Sequence, residues 1–247
     1  MRLTVLGCSG TFPSADSGCS AYLVEHDGFR LMLDAGNGAI GALQRHVGLF
    51  DLDAVLLSHL HADHCVDLVA YSYARRYHPE RPPRLAVHGP RGTAERLCQV
   101  FDKPPEDGLH DVYDFRTTSA GRTRIGPFDV ELTPTAHPVE CYAIRVTAGG
   151  RSVTYSADTG PSDDVAKAAA GTDVFLCEST WLDATDYPPN LHLTAREAGR
   201  HAAQAGVGRL SLVHTTAYLD QSRYPEHAAE AYDGPIDLAR PGTTYEL

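Results

Sequence analysis

The sequence predicts a mixed α/β fold, because short apolar runs typical of buried strands alternate with segments of helical periodicity. The run 54–58 is short and mainly apolar, as expected of a buried strand. The segment 66–73 comes shortly after it and carries one apolar face, as an amphipathic helix does. Turn residues at 26–28 and 148–150 each separate two strand-like runs, which predicts two hairpins.

The other elements continue this alternation in chain order. Strands are expected at 3–6, 21–25, 29–33, 85–88, 128–132, 142–147, 151–156, 173–177 and 209–213, followed by a closing strand. Helices are expected at 40–47, from 92 to about 100, at 162–170, at 195–205 and near 226–232. Thr194 or His192 would cap the helix at 195–205, and Glu197 would complete a capping box with Thr194. The segment 103–110 predicts a loop that either overhangs the site or is exposed. No linker-like composition divides the chain, which predicts one domain over residues 1–247.

Charge and composition limit the classes of function. The 247 residues include 21 Lys and Arg against 32 Asp and Glu, for a formal net charge of −11. A long nucleic acid requires a basic surface, so we expect no such partner. No apolar stretch is long enough to span a membrane, and the N-terminal apolar run is too short for a signal peptide, so a cytoplasmic location without a membrane partner is expected. The six scattered cysteines fit reduced thiols, and packing is the favoured role of Cys65.

A cluster of metal-ligand residues lies between the predicted strand at 54–58 and the helix that follows. Four such side chains fall within six positions: His59, His61, Asp63 and His64. In an extended segment, residues two apart point the same way, so His59 and His61 can bind one ion together. Asp63 and His64 then turn away with the start of the helix and can serve a neighbouring ion. Imidazole and carboxylate suit zinc and related first-row metals, whereas surface histidines on a loop are the alternative.

A strand followed by His-x-His-x-Asp-His resembles the signature of the metallo-β-lactamase fold superfamily. The later parts of that pattern follow in order, with His137 at a strand end between prolines, Asp158 before Thr-Gly, and His214 after a core strand. The resemblance covers essentially the whole chain. It implies a four-layer αββα sandwich with a two-metal site at one edge, and therefore a metal-dependent hydrolase.

The resemblance assigns seven residues to two divalent ions. One ion would be bound by His59, His61 and His137, the other by Asp63, His64 and His214, and Asp158 would bridge both. Zinc is expected, with Mn²⁺ or Fe²⁺ as alternatives. From the residues alone, an Asp before Thr-Gly is ordinarily a turn residue. Asp34 would order the loops beneath the metals, although a turn or helix-capping role fits that residue about equally well.

At two further positions, the sequence resembles the phosphodiesterase branch of this superfamily, which includes ribonuclease Z. In that branch, a Glu at a strand end and a His at the start of the next helix act together, and Glu178 and His192 match them. The resemblance implies attack by a metal-bound hydroxide, with Asp63, Glu178 and His192 in catalytic roles and His192 as the general acid. Glu178 would favour the charged imidazole and so keep its proton available. A helix N-cap is the alternative role of His192.

The chain departs from ribonuclease Z between His137 and Asp158. That enzyme carries a long arm for tRNA at this point, whereas a single predicted hairpin fills the interval here. The chain is more similar to the compact bacterial cyclic-nucleotide phosphodiesterases of this fold, in the stretches 6–10, 41–46 and 75–79. The expected substrate is therefore a 3′,5′-cyclic nucleotide or a similarly small phosphodiester. A homodimer is compatible with the sequence.

Three other functions stay open on the sequence. A ribonuclease Z-like enzyme that processes RNA would need a basic surface, which the composition does not indicate. A thioesterase or lactonase would use the same metal ligands without His192, because a thiolate or carboxylate leaves more easily. A non-catalytic, metal-stabilised binding module would bind metal and turn over nothing.

Overall fold

Two mixed β-sheets contain the strands of the described residues, which are 1–104, 109–183, 187–188 and 190–247 in a computed structural model of the chain. Within the predicted loop at 103–110, residues 105–108 lie outside the described residues. The first sheet has eight strands. They are β1 (Arg2–Ser9), β2 (Gly18–Cys19), β3 (Ala21–His26), β4 (Phe29–Leu33), β5 (Ala54–Leu56), β6 (Leu85–Gly89), β7 (Tyr113–Thr117) and β15 (Thr244–Glu246).

The first sheet changes from antiparallel to parallel across its width. Its spatial order is β15-β1-β3-β4-β5-β6-β7, and β2 pairs with β1. The strands β1, β3 and β4 pair antiparallel, whereas β4, β5, β6 and β7 are parallel neighbours. Parallel strands end at the same edge of a sheet, so the residues that follow β4 and β5 are brought together.

The second sheet has seven strands. They are β8 (Gly121–Ile125), β9 (Phe128–Pro134), β10 (Tyr142–Ala148), β11 (Arg151–Tyr155), β12 (Val174–Glu178), β13 (Leu210–Val213) and β14 (Ile236–Leu238). Strands β8 to β11 form an antiparallel meander, and β11 to β14 are parallel neighbours. Strands β9, β11, β12 and β13 therefore all end at one edge.

Helices cover the outer faces of both sheets. They are α1 (Ala39–Leu43), α2 (Ala62–Cys65), α3 (Asp67–Tyr77), α4 (Thr93–Val100), α5 (Asp163–Ala168), α6 (Ala195–Ala205) and α7 (Arg223–Ala229). One buried apolar cluster, which includes Leu33 and Phe128, lies between the sheets. A second joins the first sheet to α1, α3 and α4, for example at Leu68. A third joins the second sheet to α5, α6 and α7, as at Tyr224. The layers are therefore αββα, as the resemblance implied.

Local sequence signals predicted several turns and caps correctly. Both hairpins are present, and the two turn residues of each have positive φ: Asp27 (49°), Gly28 (80°), Gly149 (58°) and Gly150 (76°). Two consecutive positive φ values are what a type I′ hairpin turn requires. The capping box of α6 is formed by Thr194 and Glu197. The alternative role of His192 as the N-cap of α6 is therefore wrong.

Other element predictions differ from the structure. The helix predicted at 40–47 ends at Leu43, because the His46 N–H bonds to the Leu43 carbonyl and tightens the chain into a turn before Gly48. The strands β2, β7 and β8 were not predicted, and the one predicted closing strand is two strands, β14 and β15. The strand β8 is an edge strand with exposed polar residues, so it has no apolar periodicity. Among the described residues, no helix is both long and apolar enough to cross a bilayer. The cytoplasmic location stays a prediction.

Candidate metal centre

The predicted metal ligands lie at the strand ends that share one edge of the sandwich. Three of them follow β5, β11 and β13: His59, Asp158 and His214. His137 follows β9, which runs in the same direction as β11 because both pair antiparallel with β10. The helix α2 starts where the extended segment after β5 ends, and it carries the remaining acidic ligand, Asp63. The fold thus brings together residues that are far apart in the sequence.

The strand ends at this edge have an unusual backbone. Three residues there have positive φ: Asp34 (57°), Ala157 (51°) and His214 (54°). Non-glycine residues adopt this left-handed conformation infrequently, at a cost of order 1–3 kcal/mol each. The conformation turns the chain sharply as each strand ends. Such outliers cluster at active and ligand sites, which favours a functional role for this edge.

A first group of ligand-type side chains consists of His59, His61, His137 and Asp158, whose ligand atoms all lie within 4.8 Å of one another. The Nδ1 atom of His61 is 3.1 Å from Nε2 of His59 and 3.3 Å from Nε2 of His137. The His137 ring is oriented by the Leu191 carbonyl, which is 3.3 Å from its Nδ1 and accepts its hydrogen. Three imidazole nitrogens therefore converge on one point.

A second group consists of Asp63, His64 and His214. The Oδ2 atom of Asp63 lies 3.2 Å from Nε2 of His214 and 3.4 Å from Nε2 of His64. Asp158 lies between the two groups. Its Oδ1 is 3.3 Å from Nε2 of His64, and its Oδ2 is 3.6 Å from Nε2 of His59. One carboxylate oxygen of Asp158 thus faces each group, which is the geometry expected of a bridging ligand.

Asp34 orients one histidine of each group. Its Oδ2 accepts hydrogen bonds from Nδ1 of His64 at 2.7 Å and from the Ser58 hydroxyl at 2.8 Å. Because Ser58 donates its one hydroxyl hydrogen to Asp34, its oxygen accepts from Nδ1 of His59, 3.0 Å away. Both imidazoles therefore donate from Nδ1 and turn Nε2 toward the cluster. These contacts fit the interpretation of Asp34 as a residue that orders the site.

Glu178 repeats this arrangement on the second sheet. Its Oε1 accepts from Nδ1 of His192 at 2.8 Å, and its Oε2 accepts from the Thr180 hydroxyl at 2.8 Å. The Thr180 oxygen in turn lies 2.8 Å from Nδ1 of His214, whose hydrogen it accepts. Each of the two buried carboxylates, Asp34 and Glu178, thus holds one histidine directly and a second one through a hydroxyl.

The donor set fits a divalent cation. Nε2 of His64 and Oδ1 of Asp158 are buried, and neither has a hydrogen-bond partner among the described residues. Leaving such an atom buried and unpaired costs about 1–3 kcal/mol. Imidazole nitrogen and carboxylate oxygen are the ligands that zinc and related metals prefer, so a cation between these atoms would satisfy both. The edge of the sandwich therefore carries histidine and aspartate clusters able to bind metal.

The electrostatics of the cluster also favour a cation. Burial lowers the pKa of His59, His61 and His137, which keeps these imidazoles neutral as ligands must be. Burial would also lower the pKa of His64, but Asp158 and Asp34 raise it well above its ordinary value. The negative charges that hold a proton on His64 also attract a metal ion. Metal and proton compete there, so metal affinity should fall as the pH falls.

His192 lies beside both groups without belonging to either predicted ligand set. Its ring centroid is 5.6 Å from that of His137 and 5.4 Å from that of His214, and its side chain is 11% exposed. Burial would lower the pKa of His192, but Glu178 raises it to about 9. His192 also forms a possible ligand group with Asp158 and His214, whose ligand atoms lie within 4.8 Å of one another. The geometry therefore allows a proton donor or an additional ligand.

A cavity of about 310 Å³ opens beside His61. It is lined by Leu60, His61, Pro90, Arg91, Arg96, Val139 and Glu140. A larger groove of about 770 Å³ lies on the outer face of the second sheet against α5, and its lining contains none of the clustered histidines. Of these two cavities, the smaller one contacts the metal cluster through His61, and its lining carries two arginines and one glutamate.

The sequence reasoning missed the hydroxyl residues that connect carboxylates to histidines. Ser58 directly precedes His59, and Thr180 lies two residues after Glu178, so both are close in sequence to predicted site residues. Hydroxyl residues beside a ligand are too common to single out by themselves. Tyr155, whose hydroxyl donates to Asp34 at 3.0 Å, had no sequence signal at all.

Replacing Asp34 with asparagine should weaken metal binding about 10- to 100-fold, the usual cost of losing a residue that supports metal ligands. The side chains of His64, Ser58 and Tyr155 all donate to Oδ2, and the Ser58 backbone N–H donates to Oδ1 at 2.7 Å, so an amide NH2 group would face a donor in either orientation. Competition with a coloured chelator measures the affinity. Asp27→Asn changes an aspartate that is 80% exposed and serves as the control. If Asp34→Asn and wild type bind metal with equal affinity, the role of Asp34 is limited to the turn at the end of β4.

Comparison with known proteins adds to this geometry. A family model described as a β-lactamase superfamily domain matches residues 29–215. An uncharacterized protein of Mycobacterium leprae is 42% identical over 253 residues, covering 100% of this chain and 89% of the relative. The probable metallo-hydrolase YhfI of Bacillus subtilis is 30% identical, with 100% of both chains covered. A ribonuclease Z of Haloferax volcanii is 30% identical over 302 residues, covering 100% of this chain and 95% of that enzyme.

The crystal structure of YhfI superimposes on this chain with a TM-score of 0.90 at 28% identity, covering 100% of this chain and 99% of that one. The shared fold, the ligand clusters and these relatives define a metal-dependent hydrolase. The chain belongs to the metallo-β-lactamase superfamily.

Proposed function

We propose that the chain is a binuclear metal hydrolase that cleaves a small phosphodiester, namely a 3′,5′-cyclic nucleotide. The observation that carries the proposal is the pair of His192 and the buried Glu178, which are hydrogen-bonded at 2.8 Å beside the metal cluster. This pair supplies a proton donor in addition to the metal ligands. A ribose alkoxide is a poor leaving group and requires such a donor, whereas the thiolate or carboxylate released by a thioesterase or lactonase does not.

Two ions would occupy the two groups and share Asp158, which presents one oxygen to each. When bound, such a pair of ions stabilises the attacking and leaving oxygens and lowers the pKa of water toward about 7. Zinc suits the donor set, and Mn²⁺ or Fe²⁺ are alternatives. Asp63 is the carboxylate of the second group and would bind one ion. Its Oδ2 accepts a hydrogen bond from the Thr11 N–H at 2.9 Å.

His192 would donate a proton from Nε2 to the leaving oxygen. Its Nδ1 is engaged with Glu178, so Nε2 is the ring nitrogen left for substrate. Glu178 is fully buried and accepts hydrogen bonds from the backbone N–H groups of Thr159 and Thr180 as well. It would therefore act as a positioning residue, because it reaches the reaction through His192 and through Thr180.

Size and charge favour a small substrate over a long nucleic acid. The hairpin of β10 and β11 lies between His137 and Asp158, with no room in the sequence for a long arm. The alignment with the Haloferax volcanii ribonuclease Z extends over 302 positions, so parts of that enzyme have no counterpart in these 247 residues. The net charge of −11 opposes contact with many phosphates. RNA processing is the second candidate, because this ribonuclease is a relative.

A panel of phosphodiesters assayed with metal-analysed protein tests the assignment. We expect hydrolysis of cyclic AMP or a related cyclic nucleotide, and no comparable removal of the 3′ trailer from a precursor tRNA at physiological salt. A thioester and a lactone complete the panel. Efficient cleavage of the precursor tRNA would contradict the proposed substrate and favour RNA processing. A preference for the thioester or lactone would contradict it in favour of a thioesterase or lactonase. Metal binding without turnover of any substrate would favour a non-catalytic binding module.

A further inference from the structure

Two exposed aromatic rings lie on segments that adjoin the second ligand group. Phe12 is 41% exposed and Tyr218 is 73% exposed, although large aromatic side chains gain most from burial. Their ring centroids are 6.2 Å apart, and the ring planes differ by 14°. Neither residue belongs to the three buried clusters that stabilise the fold. The pair thus presents nearly parallel aromatic faces to solvent.

The segment that carries Phe12 is fixed to the metal cluster. The backbone N–H of Thr11 donates to Oδ2 of Asp63 at 2.9 Å, and Phe12 is the next residue. Gly10 packs so closely against His214 that a Cβ atom would lie 2.7 Å from Nδ1 of that ring. Consecutive Cα atoms are about 3.8 Å apart. The Cα atom of Phe12 is therefore about that far from the Cα atom of Thr11, whose N–H contacts the predicted ligand Asp63.

The segment that carries Tyr218 is also held in place. Tyr218 lies four residues after His214 in the sequence. The side chain of Gln221 supports the segment with hydrogen bonds. Nε2 of Gln221 donates to the carbonyls of Thr216 at 2.8 Å and Leu219 at 3.0 Å. These bonds fix the turn on both sides of Tyr218. An exposed ring on a fixed turn loses little conformational entropy when a ligand stacks on it.

We propose that Phe12 and Tyr218 form a stacking site for the base of a nucleotide whose phosphate lies at the metal centre. This inference rests on the proposed function and adds the residues that would bind the base of its nucleotide substrate. Aromatic side chains stack on every base, because each base has a π-face. A base inserted between two rings needs about 6.8 Å, twice the spacing of about 3.4 Å between stacked bases. The present centroid separation of 6.2 Å is close to that value.

A second aromatic pair provides an internal control. Tyr73 and Tyr77 on α3 also stack, with centroids 5.9 Å apart and planes 20° apart, and they are 49% and 71% exposed. Neither is adjacent in sequence to a predicted ligand. Tyr77→Ala therefore removes an exposed ring of similar character without changing the proposed base site.

Isothermal titration of the metal-loaded protein with AMP and with ribose 5-phosphate measures what the base contributes. We expect the wild type to bind AMP about 10-fold or more tightly than ribose 5-phosphate. Phe12→Ala and Tyr218→Ala should each lose most of this preference, while their affinity for ribose 5-phosphate stays within about twofold. Tyr218→Phe and Tyr77→Ala should keep it. All four changes are at exposed positions, and thermal unfolding checks that the variants fold.

Several outcomes would overturn the stacking site. They are equal binding of the two probes by wild type, no binding of AMP, unchanged preference in Phe12→Ala and Tyr218→Ala, or equal losses in Tyr218→Phe and Tyr218→Ala. A changed oligomeric state of the alanine variants with unchanged AMP binding would make the pair a protein interface instead. Failure of the proposed function is distinguishable, because it would appear as no hydrolysis of cyclic nucleotides while the AMP preference persisted.

Discussion

Replacing Asp158 with alanine should release metal from both ligand groups and reduce turnover by about 10³-fold or more. Asp158 is 2% exposed, and its Oδ1 lies 3.3 and 3.4 Å from Nε2 of His64 and His214. Its Oδ2 faces Nε2 of His59 at 3.6 Å. A metal ion supplies several kcal/mol of transition-state stabilisation, and each 1.36 kcal/mol is about tenfold in rate. Loss of a ligand shared by two ions therefore has one of the largest effects available in this chain.

Metal analysis of protein purified without chelator checks this result. Wild type should carry about two equivalents of divalent metal, and both Asp158→Ala and Asp158→Asn should carry clearly fewer. The asparagine variant keeps the side-chain volume, so it separates loss of metal from collapse of the site. Asp164→Ala removes an aspartate that is 70% exposed and should keep both ions. Two retained ions and normal turnover in the Asp158 variants would contradict the bridging role, and one ion or fewer in active wild type would contradict the binuclear centre.

The grouping of the candidate metal ligands could be predicted partly from local signals and partly from the resemblance. His59, His61, Asp63 and His64 fall within six positions, whereas the resemblance singled out His137, Asp158 and His214, each of which follows a strand that the apolar pattern predicts. Parallel neighbours end at one edge, so strand ends that are distant in sequence become close in space. The fold class follows from the same alternation of strands and helices. The finer layer order came from resemblance to known proteins.

The supporting contacts could not be predicted because they depend on the pairing and packing of strands that are distant in sequence. Tyr155 on β11 reaches Asp34 at the end of β4, so this hydrogen bond exists only once the sandwich has formed. The link of Ser58 to Asp34 depends on the neighbouring ends of β4 and β5, and that of Thr180 to His214 depends on the neighbouring ends of β12 and β13. Boundary errors, as at α1, arise where a tight turn continues a helical pattern.

Replacing His192 with alanine should slow cyclic-nucleotide hydrolysis by about 10²- to 10⁴-fold, the usual contribution of general acid catalysis. A ribose alkoxide requires a proton as the P–O bond breaks, and Nε2 of His192 is the proposed donor. The same variant should be much less impaired on bis(p-nitrophenyl) phosphate, because p-nitrophenolate leaves without a proton. Metal content should remain at the wild-type value. The ratio of the two rates therefore reports the proton donor separately from the metal centre.

The dependence on pH provides an independent measure of the same role. As the proposed general acid, His192 would act in its protonated form, so activity on cyclic nucleotides should fall as the pH rises through the pKa of His192. His192→Ala should lack this alkaline limb. Glu178 raises the pKa of His192, so Glu178→Gln should move the limb to lower pH and give a weaker form of the His192→Ala defect. Equal slowing of both substrates by His192→Ala, or no slowing of either, would contradict the general-acid role. Loss of metal from that variant would instead make His192 a ligand together with Asp158 and His214, a grouping that the geometry allows.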